Sequence, residues 1–558
     1  MVKRIFRVFG GEVSNIHEAA YLLGFFALLA QILALFRDRL LAHYFGASGA
    51  LDVYYAAFRI PDFIFATVAS LVAGSVLIPF LQEKLMEGNE KAKQLIDEIW
   101  SAFSILIIIA TVAAFIFMPF LVSSLFSAMA LDSQTMVVNL SRILLLSPLF
   151  LGFSNFLASI IQAHRRFALY ALSPVLYNVG IIAGIIFLFP TFGITGVAVG
   201  VVIGSILHAV VQIPFARKVG LFPDLIFPIA LSRIKSVIWL SLPRTLALAS
   251  MNIVFIALIS LASRMSEGSI SVFNFAYNIE SGALSIIGVS YSMAAFPTLA
   301  KIFAGGEREK FARYVSSALR HIIFWSMPAA ALFIVIRAQI VRTVLGSGAF
   351  SWSDTRLTAA CVALFSISII AQNANLLFIR AYYAAGKTKI PFIICGISSA
   401  FTILISFLFY RLFFVFPYIR DFIAAAFKVS DVQGAEVLSL PLGFTIGSLF
   451  NMALFIFIFN KDFKQLVRSI RETVVQSLAA SFVAGVASYV ALQVIGNIIT
   501  LDTLAGVFSQ GLLAGIVGLG FWFLTLRLLK SREANELLAN IRGRIWKAKV
   551  IAPERTEI

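Results

Sequence analysis

The chain has 558 residues, of which 60% are hydrophobic and 13% charged, with a mean hydropathy of +0.96. A soluble protein of this length needs far more polar surface, so the composition excludes a water-soluble globule. It points instead to an all-α polytopic membrane protein, whose helices satisfy their own backbone hydrogen bonds in lipid. The formal net charge of +17 is not a nucleic-acid footprint, because Lys and Arg sit mostly in short loops between apolar runs, as positive-inside loops do.

In chain order, the N-terminal MVKRIFRVFGGE is basic and lacks a cleavable signal pattern, so the first apolar run reads as a retained helix. With a span of ~20 residues as the ruler, roughly fourteen spans are predicted. They cover 16–41, 50–81, 98–126, 136–162, 168–189, 193–216, 235–262, 269–300, 315–345, 356–380, 390–413, 437–460, 473–498 and 503–530. The loops QEKLMEGNEKAKQ, QAHRRF, Arg217–Lys235, KIFAGGEREKFAR, RAYYAAGKTK and NKDFKQLVRSIR are basic, as are both chain ends. They alternate with SSLFSAMALDSQ, PTFG and ITLDT, which carry no Lys or Arg. Both termini are therefore expected in the cytoplasm, which requires an even number of spans.

A weak internal repeat runs through the chain. DVYYAAFRI (52–60) aligns with SVFNFAYNI (271–279), each ahead of a proline (Pro79, Pro297), and QAHRRFALYALSP (162–174) aligns with RAYYAAGKTKIP (380–391). A six-helix unit repeated in one orientation predicts two lobes, 1–218 and 219–465, about a pseudo-two-fold axis along the membrane normal. Spans 13 and 14 (466–530) lie outside the repeat. Residues 414–436 read as an outer loop with a short amphipathic helix. The basic tail 531–558, with Trp546 among Arg542, Arg544, Lys547 and Lys549, reads as an arm on the inner leaflet or as a solvated end. Cys361 and Cys395 lie in apolar runs and read as packing residues.

No nucleophile, metal or phosphate-loop pattern appears, so no enzyme activity, cofactor or metal site is expected. The informative feature is charge inside the first two spans. An ionised side chain near the bilayer centre costs about 3 kcal/mol and is usually retained to face a cavity or bind a ligand. Arg37 and Asp38 sit near the outer end of span 1, Asp52 opens span 2, and Arg59 lies inside span 2 with Asp62 beyond it. Arg39 reads as an interfacial snorkelling residue, and Asp52 has a helix-capping alternative. Arg244, after Pro243 in span 7, and Glu280 in span 8 complete the candidate binding set of Arg37, Asp52, Arg59, Arg244 and Glu280. Gln31, Arg142, Asn252, Asn274, Asn278, Gln372, Asn373, Asn375 and Asn451 are also embedded, and most of the amides read as inter-helix hydrogen-bonding groups. A cavity carrying arginines suits a pyrophosphate, whose oxygens match the planar guanidinium fork.

The stretch FRDRLLAHYFGASGALDVYYAAFRIPDF (36–63), GSLFNMALF in span 12 and the twelve-plus-two plan resemble the lipid II flippase family (MurJ/MviN) of the MOP superfamily. The resemblance implies a cationic central cavity, a lipid-tail groove formed by spans 13 and 14, and alternating access coupled to sodium, protons or membrane potential. It implies a monomer in the bacterial plasma membrane. Arg37 and Asp52 match the family's charged positions. The chain departs from the family pattern elsewhere: Gln31, Phe65 and Ser70 stand where the family has charge, and Asn278 and Ser281 where it has Arg and Glu, with Glu280 adjacent. Spans 7 and 11 lack the acids of the family's sodium site. Either Arg59, Arg142 and Arg244 replace this charge, or the cargo differs. Three functions follow: a lipid II flippase, a transporter of another lipid-linked oligosaccharide, or a non-transporting scaffold for cell-envelope synthesis. An exporter of cationic drugs would need an acidic cavity.

Overall fold

The structure is a computed structural model and describes residues 16–68, 74–164, 166–228, 231–463, 466–499 and 503–538. Among these residues the regular structure is helical throughout. The helices used below are α1 (Ile16–Phe45), α2 (Gly49–Ala57), α3 (Arg59–Val68), α4 (Gly74–Glu87), α5 (Asn89–Leu125), α6 (Leu131–Leu144), α7 (Leu146–Ala163), α8 (Phe167–Ala183) and α9 (Ile194–Val210). They continue with α10 (Leu231–Ala262), α11 (Ser269–Leu284), α12 (Ser290–Ala304), α13 (Arg308–Val335), α14 (Arg337–Leu345), α15 (Trp352–Ala384), α16 (Lys389–Val415), α17 (Pro417–Ala426), α18 (Ser439–Phe463), α19 (Leu466–Gly496) and α20 (Leu504–Leu528).

Among the described residues twelve helices are long and apolar enough to cross a membrane, and they coincide with predicted spans 3 to 14. The chain is a multi-pass helical membrane protein. The first two predicted spans correspond to α1 and to α2 through α4. In α1 the apolar stretch runs into Arg37, Asp38 and Arg39, and span 2 is divided among α2, α3 and α4. Ser70, the N-terminal basic stretch and tail residues Arg542, Arg544, Trp546, Lys547 and Lys549 lie outside the described residues.

The chain forms two compact units. One lies within Met1–Gly282, Val341–Phe365 and Gly386–Asn451; the other lies within Ala283–Ile340, Ser366–Ala385 and Met452–Ile558. These units are discontinuous in sequence.

In the first unit, small residues let helix backbones meet. Gly180 and Gly184 of α8 and its π-helical extension face Gly200 and Gly204 of α9. A Cβ at Gly180 would lie 2.3 Å from the Gly204 Cα, and one at Gly200 would lie 2.6 Å from the Gly184 Cα. In lipid, association relies on packing and hydrogen bonds, and glycine at four-residue spacing maximises both. Gly443 and Gly447 of α18 do the same against Ser406 and Thr402 of α16. Phe255, Tyr277, Phe365 and Phe444 form an aromatic cluster, with centroids 4.7 Å apart for Phe255–Tyr277 and 5.4 Å for Phe365–Phe444. This cluster seats the back of α11, whose asparagines matter below. Cys361 and Cys395 are buried as packing residues. The predicted surface helix is α17, and beyond it Arg356 Nη1 and Nη2 donate to the Asp431 carboxylate at 2.7 and 2.6 Å. The Arg356 guanidinium holds that carboxyl below its ordinary range.

In the second unit, α19 and α20 pair and pack on α13. Trp522 packs in tilted geometry against Phe324 and Trp325, with centroids 4.8 and 5.5 Å apart, beside Ala480 and Ala484. An apolar cavity of about 610 Å³ opens along this pair, lined by Phe482, Val486, Val490, Val494, Val517 and Phe521 among others.

Candidate transport cavity

Two successive turns of charge converge on one cavity in the first unit. α1 brings Arg37, whose Nε and Nη2 donate to Asp38 Oδ1 at 2.9 and 2.7 Å. Its Nη1 donates to Asn178 Oδ1 at 3.3 Å. Asp38 is 2% exposed, and its second oxygen accepts from Asn278 Nδ2 at 3.1 Å. α3 begins with Arg59, whose Nε donates to the Tyr55 carbonyl at 3.1 Å and whose Nη2 donates to Asn274 Oδ1 at 3.1 Å. Asn274 in turn donates to the Ile270 carbonyl, which fixes its orientation.

The cavity measures about 210 Å³. Arg37, Arg59, Asp62, Tyr54, Tyr55, Tyr177, Asn274 and Asn278 supply its polar and aromatic wall. Two guanidiniums therefore share it with Asp62, and Asp38 stands directly behind Arg37. The expected cationic cavity is thus balanced, with two arginines against two aspartates. Burial explains the Arg37–Asp38 pair, since an isolated buried cation is far costlier than a paired one.

Of the five candidate residues, Arg37 and Arg59 line this cavity and Asp52, Arg244 and Glu280 do not. Asp52 is 6% exposed, and both its oxygens serve the start of α11. Oδ2 accepts from the Gly268 N–H at 2.7 Å, and Oδ1 accepts from the Ser271 N–H at 2.7 Å and its hydroxyl at 2.6 Å. This is a cap supplied from a distant segment, satisfying helix N-terminal donors that lipid cannot satisfy. Nearby, the Gly49 N–H donates to Glu267 Oε1 at 2.8 Å and the Ala349 N–H to the His43 carbonyl at 2.9 Å. Arg39 donates to the Thr343 carbonyl at 2.7 Å, so it has a protein partner. Arg244 is half-buried on α10, and Glu280 is fully buried on α11.

Asn178 and Tyr177 are cavity residues that composition and hydropathy do not mark, and Asn274 and Asn278, embedded amides in the sequence, stand in the cavity wall. The repeat held the missing signal. Aligning 52–60 with 271–279 sets Asp52 on Ser271, Tyr55 on Asn274 and Arg59 on Asn278. Asp52 and Ser271 bond to each other, and Tyr55, Arg59, Asn274 and Asn278 all line the cavity.

The sequence matches the family model described as lipid II flippase MurJ over residues 41–509. It is 24% identical over 386 residues to the lipid II flippase MurJ of Burkholderia cenocepacia, covering 68% of this chain and 75% of that protein. It is 26% identical over 395 residues to the probable lipid II flippase MurJ of Thermotoga maritima, covering 69% and 77%. Among solved structures, a lipid II flippase MurJ in an inward closed conformation superposes with a TM-score of 0.71 at 24% identity, over 91% of this chain and 99% of that one. An inward-facing multidrug resistance MATE family transporter of the MOP superfamily superposes at 0.62 with 15% identity, over 79% and 96%. At these identities the two structures establish the fold, while the sequence match across most of the chain establishes the lineage: this protein belongs to the lipid II flippase MurJ family.

Proposed function

We propose that this protein translocates a polyprenyl-pyrophosphate-linked peptidoglycan precursor, lipid II, from the inner to the outer leaflet of the bacterial plasma membrane by alternating access. Both termini face the cytoplasm in this reading, and sodium or protons drive the cycle. The observation that carries it is the meeting of Arg37 and Arg59 on one polar cavity in a chain of this family. A pyrophosphate reaching Arg37 takes the place of Asp38, since phosphate oxygens accept from the same guanidinium edge. Arg59 exchanges Asn274 for a phosphate oxygen in the same way. The 210 Å³ cavity is smaller than the roughly 300–1,000 Å³ of sites for drug-sized ligands. It has room for a diphosphate, and the sugar and peptide require the surrounding helices to part. The apolar cavity along α19 and α20 fits the polyprenyl tail.

The charge balance supports a second reading, transport of another lipid-linked oligosaccharide, because a neutral cavity carries no bias toward the most anionic cargo. One experiment separates the two. A bacterium depleted of its own lipid II flippase receives this chain or its Arg37→Ala variant, with insertion checked. Growth with the parent alone supports lipid II as cargo and Arg37 as its contact. Failure of a well-inserted parent overturns lipid II, and full activity of both Arg37→Ala and Arg59→Ala overturns the site.

A further inference from the structure

The second unit holds a pocket that the transport reading does not use. It forms where the start of α13, the end of α18, the start of α19 and the turn after α20 converge, and its volume is about 610 Å³. Arg308, Arg313, Arg320 and Arg532 line it with Ser316 and Ser469. Glu309 and Asp462 share the wall. The same segments carry Lys310, Lys461, Arg468, Arg471 and Lys530, so this end of the helices is basic overall.

The floor and the rim differ in construction. Arg320 lies 3.4 Å from Glu533, which is 4% exposed and also accepts from Thr473 Oγ1 at 2.8 Å and Ser531 Oγ at 3.1 Å. This buried carboxylate ties the turn after α20 to α13 and α19 and holds the Arg320 guanidinium in place. On the rim, Arg313 is 3.6 Å from Glu309 with both side chains more than 70% exposed. Arg308 has no ion-pair partner among the described residues. Arg532 pairs with Glu536 at 2.8 Å on the exposed side. Exposed pairs of this kind contribute about 0–1 kcal/mol, so the rim guanidiniums exchange partners readily.

We propose that this pocket is a binding site for a phosphate-bearing anion, separate from the transport cavity. Arginine forks match phosphate oxygens, and the volume falls in the range of built ligand sites. Two sources present this chemistry at a basic helix end: the phosphodiester headgroup of an anionic lipid, for which basic pockets between spans are known receptors, and a soluble diphosphate. The inference does not rest on the identity of the cargo.

The test uses the full chain in nanodiscs of phosphatidylcholine alone and of an equal mixture with phosphatidylglycerol. Thermal unfolding is followed in both, and inorganic pyrophosphate is titrated into the phosphatidylcholine discs. The variants are Arg308→Ala/Arg313→Ala, Arg313→Glu and the control Lys310→Ala, all on the exposed rim, so that the Arg320–Glu533 floor stays intact. Equal melting of all four proteins in phosphatidylcholine establishes that they fold alike. Stabilisation of the parent and Lys310→Ala by phosphatidylglycerol, reduced in both rim variants, assigns the site to lipid. Pyrophosphate binding weakened about tenfold in the double variant assigns it to a soluble anion. The rim variants retain Arg37 and Arg59, so pyrophosphate held at the transport cavity cancels from the comparison. The proposal is overturned if neither anion distinguishes the rim variants from the parent.

Discussion

Arg37 reaches the cavity already bonded to Asp38, so its variants act on stability and transport together, and the two effects need separating. Arg37→Ala leaves a carboxylate that is 2% exposed without its cation. Removing one partner of a buried pair costs about 3–5 kcal/mol. The expected outcome is a lower melting temperature in detergent and no rescue of a flippase-depleted strain. Adding Asp38→Asn removes the stranded charge and should recover most of the melting temperature without recovering rescue. Rescue by the double variant would show that the guanidinium does not contact cargo. Asp52 belongs to a different category, since its bonds to Gly268 and Ser271 hold the start of α11. Loss of a cap costs about 1–2 kcal/mol. Asp52→Ala should therefore accelerate hydrogen exchange at 268–271, while exchange in α20 stays unchanged.

At the scale of elements, glycine has two opposite meanings in this chain. Gly200 sits where a Cβ would come within 2.6 Å of another backbone, whereas Gly396 on α16 has nothing within 4 Å of the same atom. Gly200→Ala must push α8 and α9 apart, at a cost of about 1–3 kcal/mol. Gly396→Ala fills open space and gains up to about 1 kcal/mol of helix propensity. Melting temperatures of the two variants should move in opposite directions. The α19–α20 cavity offers a transport test at the same scale. Ala487 lines it, and Ala487→Trp places a ring in the proposed tail path. The variant should melt like the parent and fail to rescue growth, and normal growth would remove the tail from this cavity.

At the scale of the whole molecule, the bonds that close one end of the first unit join segments 215 to 219 residues apart: Arg59–Asn274, Gly268–Asp52, Gly49–Glu267 and Ser271–Asp52. The repeat offset, read from Pro79 and Pro297, has the same size. Equivalent positions meet where repeats are related by an axis, so the repeat in the sequence predicts its own contact line. In an alternating-access cycle this line has to open. Joining residues 49 and 267 through Gly49→Cys/Glu267→Cys should arrest transport under oxidising conditions and release it with dithiothreitol. Cys361 and Cys395 are buried and contribute little background. Unimpaired transport by the oxidised protein would exclude opening at this line.

Sequence alone determined the membrane class, the positions of spans 3 to 14 and the importance of residues 36–63, for one reason. A helix in lipid satisfies its backbone internally, so its existence is a local property that hydropathy records. The same reasoning located Arg37 and Arg59, because a charge in an apolar run stands out without any neighbour. It could not assign the partners. Whether Arg37 meets Asp38 or open space, whether Asp52 caps α11 or faces a ligand, and whether Asn278 is glue or cavity wall depend on how distant helices rotate and converge. Hydropathy is blind to rotation about a helix axis. Tertiary structure therefore decided the charge balance of the cavity, giving Arg37 the Asp38 carboxylate and Arg59 the Tyr55 carbonyl and Asn274, because the low-dielectric interior makes an unpartnered charge too costly.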